Sequence, residues 1–184
     1  MSLVPNARPE MGRHAAEQLL HAHGVEGPAL LGRRGYYRDT MGKPGENDRG
    51  IYDDAIMLVT PTAYVTFNAN CDPSRYARGM AVLAPGVWRY KVGIHGLSRP
   101  KAEQYEALVQ AAPVTVRRDQ QGNDTGWFGI NIHRGGRTTT GSLGCQTIHP
   151  SQWEAFLALV KAELHRHGIV TIPYVLTERE TAHA

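Results

Sequence analysis

The stretch "GINIHRGGRTTTGSLGCQTIHP", residues 129–150, carries the reading of both fold and chemistry. An apolar alternating run, "WFGINIH" (127–133), closes on His133, and alternation at period two marks a strand. The eleven residues 134–144, rich in Gly and Thr, read as a loop. "CQTI" (145–148) then resumes as a short strand. A loop of that length can bring two strand ends side by side, setting an imidazole near a thiol. The same residues also suit plainer roles. Cys145 fits a buried structural thiol beside an ordinary histidine, or His95, His133, Cys145 and His149 fit a zinc site. Zinc sites usually anchor the metal on a short-spaced pair, for which Cys145–His149 is the candidate.

Working outward, "IYDDAIMLVTPTAYVTFNAN" (51–70) holds two β-rich runs about Thr60-Pro61-Thr62, the pattern of a hairpin. "ALLGRRGYY" (29–37) reads as a strand and "RDTMGKPGENDRG" (38–50) as a loop. "MAVLAPGVWRYKVGIHG" (80–96) supplies strand, a Pro-Gly turn at 85–86, and strand again. "PVTVRRD" (113–119) alternates as a strand, "QQGNDTG" (120–126) reads as a turn, and "IVTIPYV" (169–175) is the last strand. Three helices are predicted. The first spans 10–23, with Ala15, Leu19 and Leu20 at helical spacing before Gly24. The second, over 100–112, opens on Pro100. The third spans 151–168, with Ser151 and Glu154 at capping-box spacing and an apolar face of Trp153, Phe156, Leu157, Val160 and Leu164. The sum is an α+β domain, mainly β, with about three flanking helices.

The 184 residues suit a single domain over 1–184, with 1–28 as an N-terminal helical extension and 150–184 as a C-terminal helix, strand and polar tail. A net charge of +3 with scattered Arg and Lys argues against a nucleic-acid partner, while a mildly basic surface suits an anionic polymer such as a cell wall. No apolar run approaches the ~20 residues of a membrane span, so no membrane partner is expected. "MSLVPNARPEMGRH" lacks the pattern of a secretory signal, which predicts synthesis in the cytoplasm without a leader and an action beyond it. Cys71 and Cys145 are too few for a disulfide framework. Cys71, in the turn "NCDPS", reads as structural. Asp53 and Asp54, adjacent on a strand, should face opposite ways, one buried and one exposed.

A thiol becomes a useful nucleophile when an imidazole takes its proton, and acyl transfer also needs donors for the developing oxyanion. "IHRGG…SLGC" resembles the active-site motif of L,D-transpeptidase catalytic domains, the YkuD family. "NANCDPSRYARGMAVLAPGVWRYKVGIHG" is similar to the family's segment leading into the cleft. Residues 29–149 as a whole resemble phage-encoded members, about two thirds of the chain.

The resemblance implies an L,D-transpeptidase-like β-sandwich in which Cys145 is the nucleophile and His133 the general base. Backbone N–H groups at Gly144 and Cys145 would form the oxyanion hole, and Ser142 would shape the turn. Leu143 and Thr147 stand where the family has His and Arg, and Gln146 where it has a small apolar residue. Arg134 and Arg137 are candidate ligands for a stem-peptide carboxylate. His95, closing another strand before Gly96, is expected to line the same cleft. Ser142 and Gln146 join these residues as the expected substrate pocket.

The activity implied is cleavage of L,D bonds in peptidoglycan stem peptides by a carboxypeptidase or endopeptidase, a murein hydrolase of lytic, endolysin-like role. It requires neither metal nor cofactor. Transpeptidation, or a non-catalytic wall-binding or virion module, are the alternatives. The oligomeric state is not legible.

Overall fold

Residues 54–59, "DAIMLV", are buried at every position, which explains why an antiparallel strand shows no polar alternation. Ile56 and Leu58 point into one core, while Ala55, Met57 and Val59 point into another. The computed structural model describes residues 4–5 and 9–179. The residues of the tail beyond 179 lie outside this range, as does part of the N-terminal stretch read for a leader.

In chain order the elements are α1 (Arg13–Ala22), β1 (Ala29–Arg34), β2 (Asp54–Val59), β3 (Tyr64–Asn70), β4 (Ala81–Leu83), β5 (Gly86–His95), β6 (Tyr105–Gln110), β7 (Val114–Arg118), β8 (Asn123–Gly126), β9 (Ile132–Arg134), β10 (Gln146–Ile148), α2 (Trp153–Arg166) and β11 (Ile172–Glu178). Eight strands close in the order β1-β11-β5-β6-β9-β10-β3-β2, and β4-β7-β8 form a separate sheet. The chain is thus α+β and mainly β. Where the resemblance implied two stacked sheets, the principal strands close into one ring.

Alternation along three neighbouring strands sorts side chains between the two cores. Leu30 of β1 and Tyr174 and Leu176 of β11 join Ile56 and Leu58, and the apolar face of α2 completes this core through Trp153, Phe156, Leu157, Val160 and Leu164. Phe156 meets Phe67 edge-on at 5.1 Å. Ala29, Leu31 and Val175 face the other way, where Ala16 and Leu20 of α1 cover them. Ala15, expected on the buried face of α1, is exposed, and its neighbour Ala16 is buried instead.

The helix expected over 100–112 does not form. A single 3-10 turn, Lys101–Glu103, leads into β6, which pairs antiparallel with β5 from Tyr105↔His95 to Gln110↔Tyr90. Ala, Glu, Gln and Leu favour helix locally, but here the pairing and the burial of Ala107 and Leu108 override propensity. Among the described residues, two α-helices therefore flank the sheets. Residues 123–126, read as turn, form β8 against β7. Pairing in the 127–133 run begins only at Ile132. The capping box is also absent: α2 has no side-chain cap, and Ser151 Oγ instead meets His149 Nδ1 at 2.7 Å.

Asp53 and Asp54 are both fully buried, contrary to the one-in, one-out expectation. Each side chain accepts from backbone N–H groups. Asp54 accepts from the N–H groups of Gly35 (2.6 Å) and Cys71 (2.5 Å), and Asp53 from that of Asp48 (2.7 Å). Burial pushes Asp53 up to about 7 and Asp54 well above the usual carboxylate range. The bond from Asp48 ties the 38–50 loop to the residue that precedes β2. Cys71 is fully buried against the Tyr174 hydroxyl, in keeping with a structural thiol.

Candidate active site

β9 and β10 run parallel, with Ile132 opposite Gln146 and His133 opposite Thr147. Continuing that register sets Cys145 beside Asn131, and the contacts agree. The Gln146 N–H donates to the Asn131 carbonyl (2.8 Å), and the Asn131 N–H donates to Cys145 Sγ (3.4 Å). Residues 131 and 133 share a face of their strand, so the thiol and the imidazole open on one side of the sheet. Both line a cleft of about 670 Å³, with His95, Asn131, Arg99, Trp127 and Leu143 among its other walls.

The loop between the two strands is tied down at several points. Gly135 N–H reaches the Ile148 carbonyl (2.9 Å), the Tyr52 hydroxyl reaches the Gly136 carbonyl (2.7 Å), and Ser74 donates its N–H to the Ser142 carbonyl (2.8 Å) while its hydroxyl accepts from the Ser142 N–H (2.8 Å). Ser142 is buried and organises the turn, its hydroxyl accepting from the Gly144 N–H (3.0 Å) and donating to the Cys145 carbonyl (2.6 Å). Gly144 sits at φ +142°, and a Cβ there would lie 2.7 Å from the Ala81 carbonyl oxygen. Its glycine is thus demanded by packing of the turn rather than by substrate approach. Because its N–H is already bound to Ser142, the oxyanion hole expected from Gly144 is not open. Among the described residues, the Cys145 N–H has no partner.

The tautomer of His133 follows from its neighbours. Its Nδ1 lies 2.8 Å from the Arg134 carbonyl, which can only accept, so Nδ1 carries the proton and Nε2 keeps its lone pair. The Tyr105 hydroxyl, 3.2 Å from Nδ1, reaches the same carbonyl at 3.4 Å. The orienting group is therefore a backbone carbonyl of the "RGG" stretch. His95 stacks on His133 with ring centroids 4.1 Å apart. The Asn131 amide donates to His95 Nδ1 (3.1 Å) while its oxygen accepts from the Gln110 N–H (3.3 Å), which fixes the amide orientation. His95 thus carries its proton on Nε2.

Burial and the adjacent His95 lower His133 to about 3, so the ring is neutral at physiological pH. Burial raises Cys145 above the ordinary thiol range, partly offset by the Asn131 N–H. The thiol is half-buried, bonds to the Gly129 carbonyl (3.4 Å), and makes no hydrogen bond to His133. At rest the site is a neutral thiol beside a neutral imidazole.

Of the expected pocket residues, the structure brings His95 into the cleft with Cys145 and His133, and leaves the others off its walls. Arg134 lies over the Tyr105 ring at 5.1 Å, and Arg137 is exposed on the loop. Gln146 is fully buried, donating to the Gly144 carbonyl (3.3 Å) and accepting from Tyr174 (3.1 Å), because its position alternates inward from Cys145. Ser142 shapes the turn from beneath. His149 turns to Ser151 and meets Tyr52 edge-on at 5.0 Å, away from Cys145. Among the described residues, no group of three ligating side chains is placed to hold a metal.

Sequence reasoning missed Asn131, Tyr105 and Arg99. Asn131 was legible, standing two residues before His133 on the same strand face. Tyr105 was hidden by the misread helix, and nothing local marks Arg99. A second cleft, of about 560 Å³, is lined by Arg34, Asp72, Arg49 and Asp119, whose charges pair with one another at 3.1 and 2.6 Å. Among the described residues, no helix is long and apolar enough to cross a membrane. Compared with protein-family models, curated proteins and solved structures, the chain matches none.

Proposed function

We propose that this protein is a cysteine acyl-enzyme that cleaves L,D peptide bonds in peptidoglycan stem peptides, as phage-encoded relatives of the L,D-transpeptidase (YkuD) type would do in cell-wall lysis. One observation carries the reading: a half-buried thiol and an imidazole with a free Nε2 open on one cleft from adjacent parallel strands. The resemblance in "IHRGG…SLGC" supplies the substrate class.

Cys145 Sγ attacks the scissile carbonyl carbon while its proton passes to His133 Nε2. Because His133 accepts a proton so reluctantly, transfer accompanies C–S bond formation rather than preceding it. The Cys145 N–H is the donor available to the tetrahedral oxyanion, and His95 Nε2–H is a second candidate on the same wall. Collapse expels the amine, which takes the proton from His133 and leaves a thioester. Water, deprotonated by His133, attacks the thioester carbonyl. Carboxylate and thiol are then released. No step calls for a metal or an organic cofactor.

The test is incubation with purified muropeptides, wild type beside Cys145→Ala, read by mass spectrometry. Loss of a terminal D-amino acid or opening of a cross-link in the wild type alone supports hydrolysis, and exchange of a D-amino acid supports transpeptidation. Identical spectra for both proteins refute catalysis by Cys145 and favour a wall-binding module.

A further inference from the structure

The cleft around Cys145 contains one permanently charged side chain, Arg99, and no carboxylate among its lining residues. Arg99 is carried on a braced turn. Its N–H donates to the Gly96 carbonyl (2.8 Å), and its own carbonyl accepts from the Gln104 side chain (3.0 Å). Its ion pair with Glu103, at 3.9 Å between side chains 59% and 57% exposed, is too loose and too wet to neutralise it. The guanidinium charge is nonetheless felt inside the site, opposing protonation of His95 and His133 and favouring the Cys145 thiolate. Ile94, Leu97, Trp127 and Leu143, all among the exposed large apolar side chains, stand on the walls of the same cleft. A cation framed by apolar surface, whose ion pair is loose and exposed, is suited to an anionic ligand, and a guanidinium grips carboxylates with two parallel bonds.

We propose that Arg99 is a specificity-determining residue that holds a free carboxylate of the substrate beside the scissile bond, so that the cleft favours carboxylate-bearing acyl donors over neutral ones. The role expected of Arg134 and Arg137 thereby moves to a residue on another turn. This inference rests on the reading of Cys145 as the nucleophile.

Iodoacetate and iodoacetamide test it without a substrate in hand. Both transfer a CH2 group to the thiolate with loss of iodide, and they differ in carrying a carboxylate or an amide. The ratio of the two alkylation rates at Cys145 is measured by mass spectrometry for wild type, Arg99→Gln and Arg99→Lys, with Cys145→Ala to identify the modified site. The ratio of iodoacetate to iodoacetamide should fall about fivefold in Arg99→Gln, be largely kept in Arg99→Lys, and fall in the wild type as salt screens the charge. An equal ratio in wild type and Arg99→Gln overturns the role of Arg99 and leaves the nucleophile standing. Failure of both reagents to modify Cys145 in the wild type is a different result, which removes the nucleophile and this inference with it.

Discussion

Replacing His133 with Gln should change how the stability of the fold responds to acid. In the native protein His133 resists protonation until about pH 3, whereas in the unfolded chain it protonates near 6.5. A depressed folded-state value means that the unfolded chain binds the extra proton, so stability is full above pH 6.5 and falls as pH drops towards 3. Between those limits the loss approaches about 1.4 kcal/mol per pH unit, which amounts to roughly 2 kcal/mol at pH 5. Asp53, raised to about 7, titrates with the opposite sign, binding its proton in the folded state and costing stability as pH rises. It is present in both proteins and cancels in their difference. The assay is urea unfolding of wild type and His133→Gln at pH 7 and pH 5, comparing the change within each protein. Wild type should lose roughly 2 kcal/mol more than the variant, whatever the variant's absolute stability. Parallel losses, within about 0.5 kcal/mol, would refute a buried neutral imidazole and with it the base-ready tautomer.

Three further outcomes follow from the structure. Iodoacetamide modification of Cys145 should rise along a single limb centred above the ordinary thiol range, because burial raises the thiol and no bond to His133 holds it as an ion pair. A plateau of reactivity at acidic pH, read by mass spectrometry, would reveal a resting thiolate–imidazolium pair instead. Cys71 should stay unmodified until the protein unfolds. Gly144→Ala should destabilise the fold by about 2 kcal/mol or more, since its φ of +142° and the nearby Ala81 carbonyl both exclude a Cβ. Thermal unfolding of this variant at the wild-type midpoint would show that the turn can relax.

The sequence by itself determined the β-rich fold class, the hairpin about Thr60-Pro61-Thr62 and the apolar face of α2. Each of these rests on local periodicity or turn chemistry, which neighbouring residues express wherever they are placed. Only the tertiary structure decided that residues 105–110 extend as a strand, because their partner is β5 and cross-strand pairing outweighs a helical propensity worth tenths of a kcal/mol per residue. It alone showed that Gln146 points into the barrel against Tyr174, and that Arg99 rather than Arg134 shares a cleft with the thiol. Those facts depend on which face meets which across long separations in the chain. No window of sequence contains both partners.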